Sequence, residues 1–205
     1  LKAFYILYSI FLIPLIYFLI KDKKYFYLVD LFQSIVFYKL LIIIFCILLI
    51  NFLSTGCFIY PLSITCAENF SWSIPISEVS LMNNWYELWS KAGANPNFRV
   101  ENPELYIQNF NWLGNWFKEY FFTKVSDFVF GIFFMILVFF LLFYSNTKQI
   151  KTYKGIFFIY LIVLILFIEW FYNHPALRYG GYPLVCLLIF IPTSFILSKS
   201  IIDRK

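Results

Sequence analysis

Five runs of apolar residues, Ala3–Ile20, Val36–Leu53, Phe128–Tyr144, Ile156–Phe171 and Tyr182–Leu197, carry only two charged side chains between them, Lys39 and Glu169. A bilayer hydrocarbon core of about 30 Å takes roughly 20 apolar residues per helix, and about 17 suffice. Transmembrane strands would instead alternate polar and apolar positions over about ten residues, and these runs of Phe, Ile and Leu do not. The expected fold class is therefore all-α integral membrane, with about five transmembrane helices. Composition agrees: 62% of residues are hydrophobic and 13% charged, and the mean hydropathy is +0.78. No water-soluble core of this size hides that much apolar surface. Pro14 and Pro192 lie within spans, where lipid-embedded helices tolerate them as kinks. The segment Tyr25–Ile35, with Asp30 and Gln33, is either an interfacial lead-in or the start of one long tilted helix.

Lysine distribution predicts orientation. Lys21, Lys23 and Lys24 follow the first span, Lys39 opens the second, Lys148, Lys151 and Lys154 separate the third and fourth, and Lys199, Arg204 and Lys205 end the chain. With five spans these clusters share one side, which the positive-inside rule makes cytoplasmic. The expected location is a bacterial inner (plasma) membrane, multi-pass, with residues 54–124 and 173–181 external. The start at Leu1, at the outer end of a span, reads as the C-terminal part of a longer protein, and no secretory signal is recognisable. Residues 1–205 are expected to form a single integral unit, with 54–124 as an aromatic-rich external loop inside it.

That loop holds five of the six tryptophans: Trp72, Trp85, Trp89, Trp112 and Trp116. It also holds Cys57 and Cys66, which an oxidising outer compartment permits to pair; two free thiols are the alternative. Cys46 and Cys186 lie in spans and read as packing residues. No metal site is expected, because no second cysteine pair or nearby histidine completes a tetrahedral set. Two amphipathic helices are expected. Val79–Ala92 would place Leu81, Trp85, Leu88, Trp89 and Ala92 on one stripe and Glu78, Asn83, Glu87 and Lys91 on the other, with Gly93 as its stop. The second would start with Asn102 as cap, Pro103 at the first helical position and Glu104 in the first turn. Its stripe would be Tyr106, Phe110, Leu113, Phe117, Tyr120 and Phe121, widened by Trp112 and Trp116. Such helices either cap the bundle or lie in the head-group plane and shape a groove for a lipid-linked substrate.

A ligand-like constellation falls between the last two spans: Glu169-Trp170-Phe171-Tyr172-Asn173-His174-Pro175-Ala176-Leu177-Arg178-Tyr179-Gly180-Gly181. It includes the chain's single histidine. Arg178 offers a planar fork of donors suited to phosphate, and it stays charged at any relevant pH. A short turn would bring His174, Arg178 and Tyr179 together, with Glu169 a turn inside the span. The plainer readings are a snorkelling Arg178, a helix-capping His174, and a Glu169 paired with Arg178 or Arg99. Glu68 reads as a solvated carboxylate.

Two motifs resemble known families. Gly56-Cys57-Phe58-Ile59-Tyr60-Pro61, with Thr65-Cys66 and Trp72-Ser73, is similar to an element of uncharacterised bacterial multispan membrane proteins. His174-Pro175-x-x-Arg178-Tyr179-Gly180 resembles their closing motif and, more distantly, the Arg-Tyr turn of C-type glycosyltransferases. The second resemblance implies sugar transfer from a polyprenyl-phosphate donor on the external face, with Arg178, and then His174 and Tyr179, contacting the donor phosphate. It places the catalytic carboxylate upstream of this chain and leaves it unassigned here. The alternatives are an O-antigen polymerase or ligase, a transporter, and a non-enzymatic assembly or docking protein. The expected partners are the lipid bilayer and a lipid-linked sugar; no cofactor is predicted, and metal dependence and oligomeric state stay open. The chain has no phosphate-binding glycine loop, no Gly-x-Ser-x-Gly and no His-Glu-x-x-His. Its net charge of +5 follows membrane sidedness and forms no patch suited to nucleic acid.

Overall fold

The computed structural model describes residues 3–143 and 155–198. Tyr144, the lysines 148, 151 and 154, and the terminal group Lys199, Arg204 and Lys205 lie outside them. The described residues form nine α-helices and one two-stranded hairpin, so the protein is all-α in class. Four helical stretches have the length and composition to cross a membrane: Phe4–Lys21, Ile35–Thr55, Leu113–Leu142 and Gly155–Asn173. A shorter apolar helix covers Gly181–Ser194. The protein is a multi-pass membrane protein.

The chain divides between Glu87 and Leu88 into two compact units. In the first, a 3-10 stretch Ala3–Phe11 runs into α1, Leu12–Lys21. Pro14 is buried in the first turn of α1, directly after the 3-10 stretch. It lies within the span Phe4–Lys21, three residues past the end of the 3-10 stretch. Helix α2, Phe26–Gln33, is separate from α3, Ile35–Thr55. Between them Ser34 is extended (φ −72°, ψ 138°) and its hydroxyl accepts from the Phe37 N–H. This cap rules out one continuous helix over Tyr25–Leu53 and leaves Phe26–Gln33 as a short lead-in. Gly56, at φ +80°, ends α3.

Helix α4 spans Ile76–Ser90, and Glu68 caps its start by accepting from the Ile76 N–H at 3.0 Å. That fixes a role for a carboxylate expected to be merely solvated. The buried face of α4 is rotated from the expected stripe: Val79, Leu88 and Ser90 are buried and Leu81 is exposed. The left-handed residue after the helix is Ala92 (φ 59°), not Gly93. Gly93 is constrained differently, because a side chain there would run into Leu88 and the Tyr106 ring.

The second unit continues with a hairpin the sequence did not announce, β1 Ala94–Asn95 and β2 Phe98–Arg99, pairing Ala94 with Arg99 and Asn95 with Phe98. Asn95 turns it by accepting from the Asn97 N–H. The expected second amphipathic helix is broken. Asn102 and Pro103 do start a helix, α5, but it ends at Ile107. Asn109 then takes a left-handed conformation (φ 51°), the Asn111 amide donates to the Leu105 carbonyl, and the Trp112 indole N–H donates to the Asn109 carbonyl. The helix resumes as α6, Leu113–Trp116, passes through a π-helical stretch, Phe117–Val125, and runs on into α7, Ser126–Phe143. The stretch expected either to cap the bundle or to lie in the head-group plane thus runs without a break into the apolar helix of a candidate span. Its buried face also differs: Trp112 and Trp116 are buried, while Phe110 and Phe117 are exposed.

Helices α8, Gly155–Asn173, and α9, Gly181–Ser198, pack together in this unit. Around Pro192, which removes a donor from α9, the Thr193 hydroxyl lies within hydrogen-bond distance of the Ile189 and Phe190 carbonyls, and the Ser194 hydroxyl donates to Ile191. Such back-bonding satisfies carbonyls that lipid cannot.

Candidate functional site

The turn between α8 and α9 is held from three sides. Helix α8 closes with the His174 N–H on the Trp170 carbonyl at 2.8 Å. The Trp170 indole donates to the Ala176 carbonyl at 3.2 Å, and the Trp116 indole donates to the Pro175 carbonyl at 3.2 Å. The Tyr120 hydroxyl accepts from the Leu177 N–H at 2.9 Å. Buried backbone groups in an irregular turn cost free energy unless paired, and here three aromatic side chains pair them. The result is a rigid turn in which Pro175, Ala176 and Leu177 are buried and Arg178 is exposed.

A 3-10 turn, Leu177–Tyr179, follows, and Gly180 (φ 107°) ends it in a backbone region closed to other residues. Gly181 starts α9 flat against the Trp170 indole, where any side chain would collide with the ring. The two glycines thus have different duties, one conformational and one steric.

Three of the four residues singled out from the sequence come together on this turn. The Arg178 guanidinium lies over the Tyr179 ring, 4.9 Å from its centroid, and donates to the Tyr179 hydroxyl at 3.2 Å. The His174 ring meets Tyr179 edge-on at 5.8 Å. Lys124 lies over the Tyr120 ring, 5.5 Å from its centroid. The turn and the helix beside it are therefore basic and aromatic, with an exposed Arg178 oriented by Tyr179.

Glu169 is part of the same helix end in a different setting. Its Oε1 accepts from the Asn173 amide at 3.0 Å, while Oε2 is buried with no hydrogen-bond partner among the described residues. A half-satisfied carboxylate a turn inside a span is an uncommon and costly placement. Among the described residues no three His, Cys, Asp or Glu side chains gather as a metal site.

Sequence reasoning missed the residues that build this turn. Trp116 and Tyr120 stand one helical turn apart and reach Pro175 and Leu177, 59 and 57 positions along the chain. It also put Lys91 on a polar face, whereas Lys91 is fully buried. Its Nζ donates to the Ile107 carbonyl at 3.0 Å and lies over the rings of Trp112 and Tyr172, at 5.2 and 5.3 Å. Tyr106 donates to the Lys91 carbonyl, and the Asn115 amide reaches both the Tyr106 hydroxyl and the Ala92 carbonyl. Burial pushes the Tyr106 phenol above its ordinary pKa, against a lowering by Asn115, and Glu119 adds to the rise. Phe171 meets Trp112 and Trp116, each at 5.4 Å, so this polar cluster and the turn share one aromatic wall.

A family model described as a domain of unknown function (DUF8201) matches residues 1–185. No curated protein and no solved structure matches the chain.

Proposed function

The chain belongs to the DUF8201 family, whose description assigns no activity, and from that premise we propose that it works in envelope-glycan assembly, binding the phosphate of a polyprenyl-linked sugar at the turn between α8 and α9. In this proposal the chain has five spans in a bacterial plasma membrane, with residues 173–181 on the external face. The observation that carries the proposal is the presentation of Arg178. Its guanidinium is oriented by the Tyr179 ring and hydroxyl on a turn that three aromatic side chains immobilise. A pre-oriented guanidinium meets two phosphate oxygens with little ordering cost. His174 and Tyr179 line the same approach, and flat aromatic faces accept the apolar face of a sugar ring. In sugar transfer, Arg178 would neutralise charge on the departing phosphate, with the attacking group activated by a residue not assigned here. Glu169 supports Asn173 at the base of the turn.

Binding of undecaprenyl phosphate to the purified full-length protein in lipid nanodiscs, followed by native mass spectrometry, tests the proposal. Arg178→Ala should weaken binding about ten- to hundredfold, the range for loss of a charged hydrogen-bonded pair, with unchanged membrane level. Arg178→Lys should recover part of that loss. Arg99→Ala separates the nearest alternative, because a polymerase- or ligase-like site shared between the external arginines would respond to it as well. Binding insensitive to Arg178→Ala would remove the site.

A further inference from the structure

From Leu40 to Ala67 no residue is charged, although α3 ends at Thr55. A loop emerging from a membrane span into water ordinarily meets a charged residue within a few positions. This one folds back on itself first. Cys57 and Cys66 are joined by a disulfide (S–S 2.06 Å), and the enclosed segment pairs part of its backbone internally: Phe58 N–H bonds to the Thr65 carbonyl, Leu62 to Ile59, Thr65 to Leu62 and Cys66 to Ser63. The Thr65 hydroxyl accepts from the Ile59 N–H and lies within hydrogen-bond distance of the Leu62 carbonyl. The loop is anchored to the helix end by the Ala67 N–H on the Gly56 carbonyl. Three apolar side chains of the loop are turned outward. Ile64, at the tip, is 87% exposed, and Phe58 and Leu62 are 48% and 44% exposed.

Internal backbone pairing and exposed apolar side chains suit an irregular segment to the boundary between head groups and acyl chains, where the remaining polar groups can still reach head groups and water. The surface is also continuous with one already assigned to lipid. Nothing in the apolar window of α3 is buried within the protein, and Phe52 on α3 stacks on Phe58 of the loop at 4.6 Å. Phe70 and Trp72 meet Phe52 edge-on, both at 5.7 Å, and stack on each other at 5.0 Å. Trp72 is 42% exposed, whereas Trp112 and Trp116 are buried.

We infer that the disulfide-closed loop Cys57–Cys66 is an interfacial membrane anchor: Ile64, Leu62 and Phe58 enter the leaflet in which α3 ends, and Trp72 sits beside them at head-group depth. The occupant of this apolar surface is lipid. It is independent of the phosphate site proposed above.

A photoreactive benzophenone residue in place of Ile64, in the full chain reconstituted in phosphatidylethanolamine and phosphatidylglycerol nanodiscs, tests this directly. Intact mass first verifies that the Cys57–Cys66 bond is present. On illumination, lipid adducts at position 64 should exceed those at the exposed hairpin position Asn97 at least fivefold. With the probe moved to Leu62, Ile64→Glu should reduce lipid adducts at least threefold. Adduct levels at 64 no higher than at 97 would overturn the inference, because the loop would then stand in water. Predominant crosslinking between two copies of the chain would overturn it too, by making this face a protein interface.

Discussion

Two short loops follow apolar helices in this protein, Cys57–Cys66 after α3 and the 173–181 turn after α8, and they solve the same problem by opposite means. Each must pair backbone groups near a membrane boundary, where water is scarce. The first closes on itself through a disulfide and internal hydrogen bonds and turns the apolar side chains of Phe58, Leu62 and Ile64 outward. The second borrows donors and acceptors from Trp116, Tyr120 and Trp170, so its apolar residues are drawn inward and its exposed residue is a cation, Arg178. What a loop shows to its surroundings follows from where it finds its hydrogen bonds. A loop that pairs largely within itself is free to turn apolar side chains toward lipid, whereas a loop stapled by aromatic side chains can hold a polar group in a fixed orientation.

The sharpest way to break this contrast is to remove a staple. Trp170→Ala deletes a buried indole, its bond to the Ala176 carbonyl and the surface on which Gly181 rests, and should cost about 3–5 kcal/mol. The expected readout is a lower thermal midpoint in detergent and loss of undecaprenyl phosphate binding; a turn that still binds would show that Trp170 does not hold it. Opening the disulfide with the paired change Cys57→Ser and Cys66→Ser should cost about 2–3 kcal/mol for so small a ring. It should leave binding at Arg178 unchanged, and a matching loss of binding would mean that the two loops are not separate devices.

Tyr120→Phe is subtler, because it keeps the ring and removes only the acceptor for the Leu177 N–H. A buried donor left unpaired should cost about 1–3 kcal/mol, and Arg178-dependent binding should weaken in step with the loosened turn. The smallest effect is titration of Tyr106. Its folded pKa is raised above the ordinary 10.0, so the neutral phenol is the form the fold favours. The stability it contributes is fully present below the ordinary tyrosine pKa and is lost as pH rises through the folded value. Melting midpoints measured from pH 8 upward should therefore fall at the alkaline end, less steeply in Tyr106→Phe; parallel curves would remove Tyr106 as the source.

Much of this architecture is legible from residue order alone. In lipid, a helix needs length and apolarity, and Val36–Leu53 or Ile156–Phe171 supply both without any periodicity. Asn102 and Pro103 announce a helix start through local chemistry, and Cys57 and Cys66 are near enough for their pairing to be weighed directly. The turn around Arg178 is also visible, because unusual residues cluster there between two apolar runs. Other features depend on partners far along the chain. Asn109 breaks a helix whose stripe looks unbroken, since Phe110 and Phe117 fit a 3.6-residue period as well as Trp112 and Trp116 do. Only the arrival of Phe171 and Pro175 decides that the indoles turn inward. Lys91 shows the same limit: four residues after Glu87 it suits a solvated helix face, and its actual place is set by Ile107, Trp112 and Tyr172.

That buried amine bears on how the chain is made. Lys91 leaves the ribosome about eighty residues before Tyr172, one of the two rings between which it ends, and domains assemble as their parts emerge. Until α8 has been synthesised, the Lys91 side chain lacks the Tyr172 ring that lies against it in the finished fold. Sealing of Lys91 is thus a late event in biogenesis, and a nascent chain stalled before Tyr172 would leave this lysine open to a water-soluble amine-reactive reagent that the finished protein excludes.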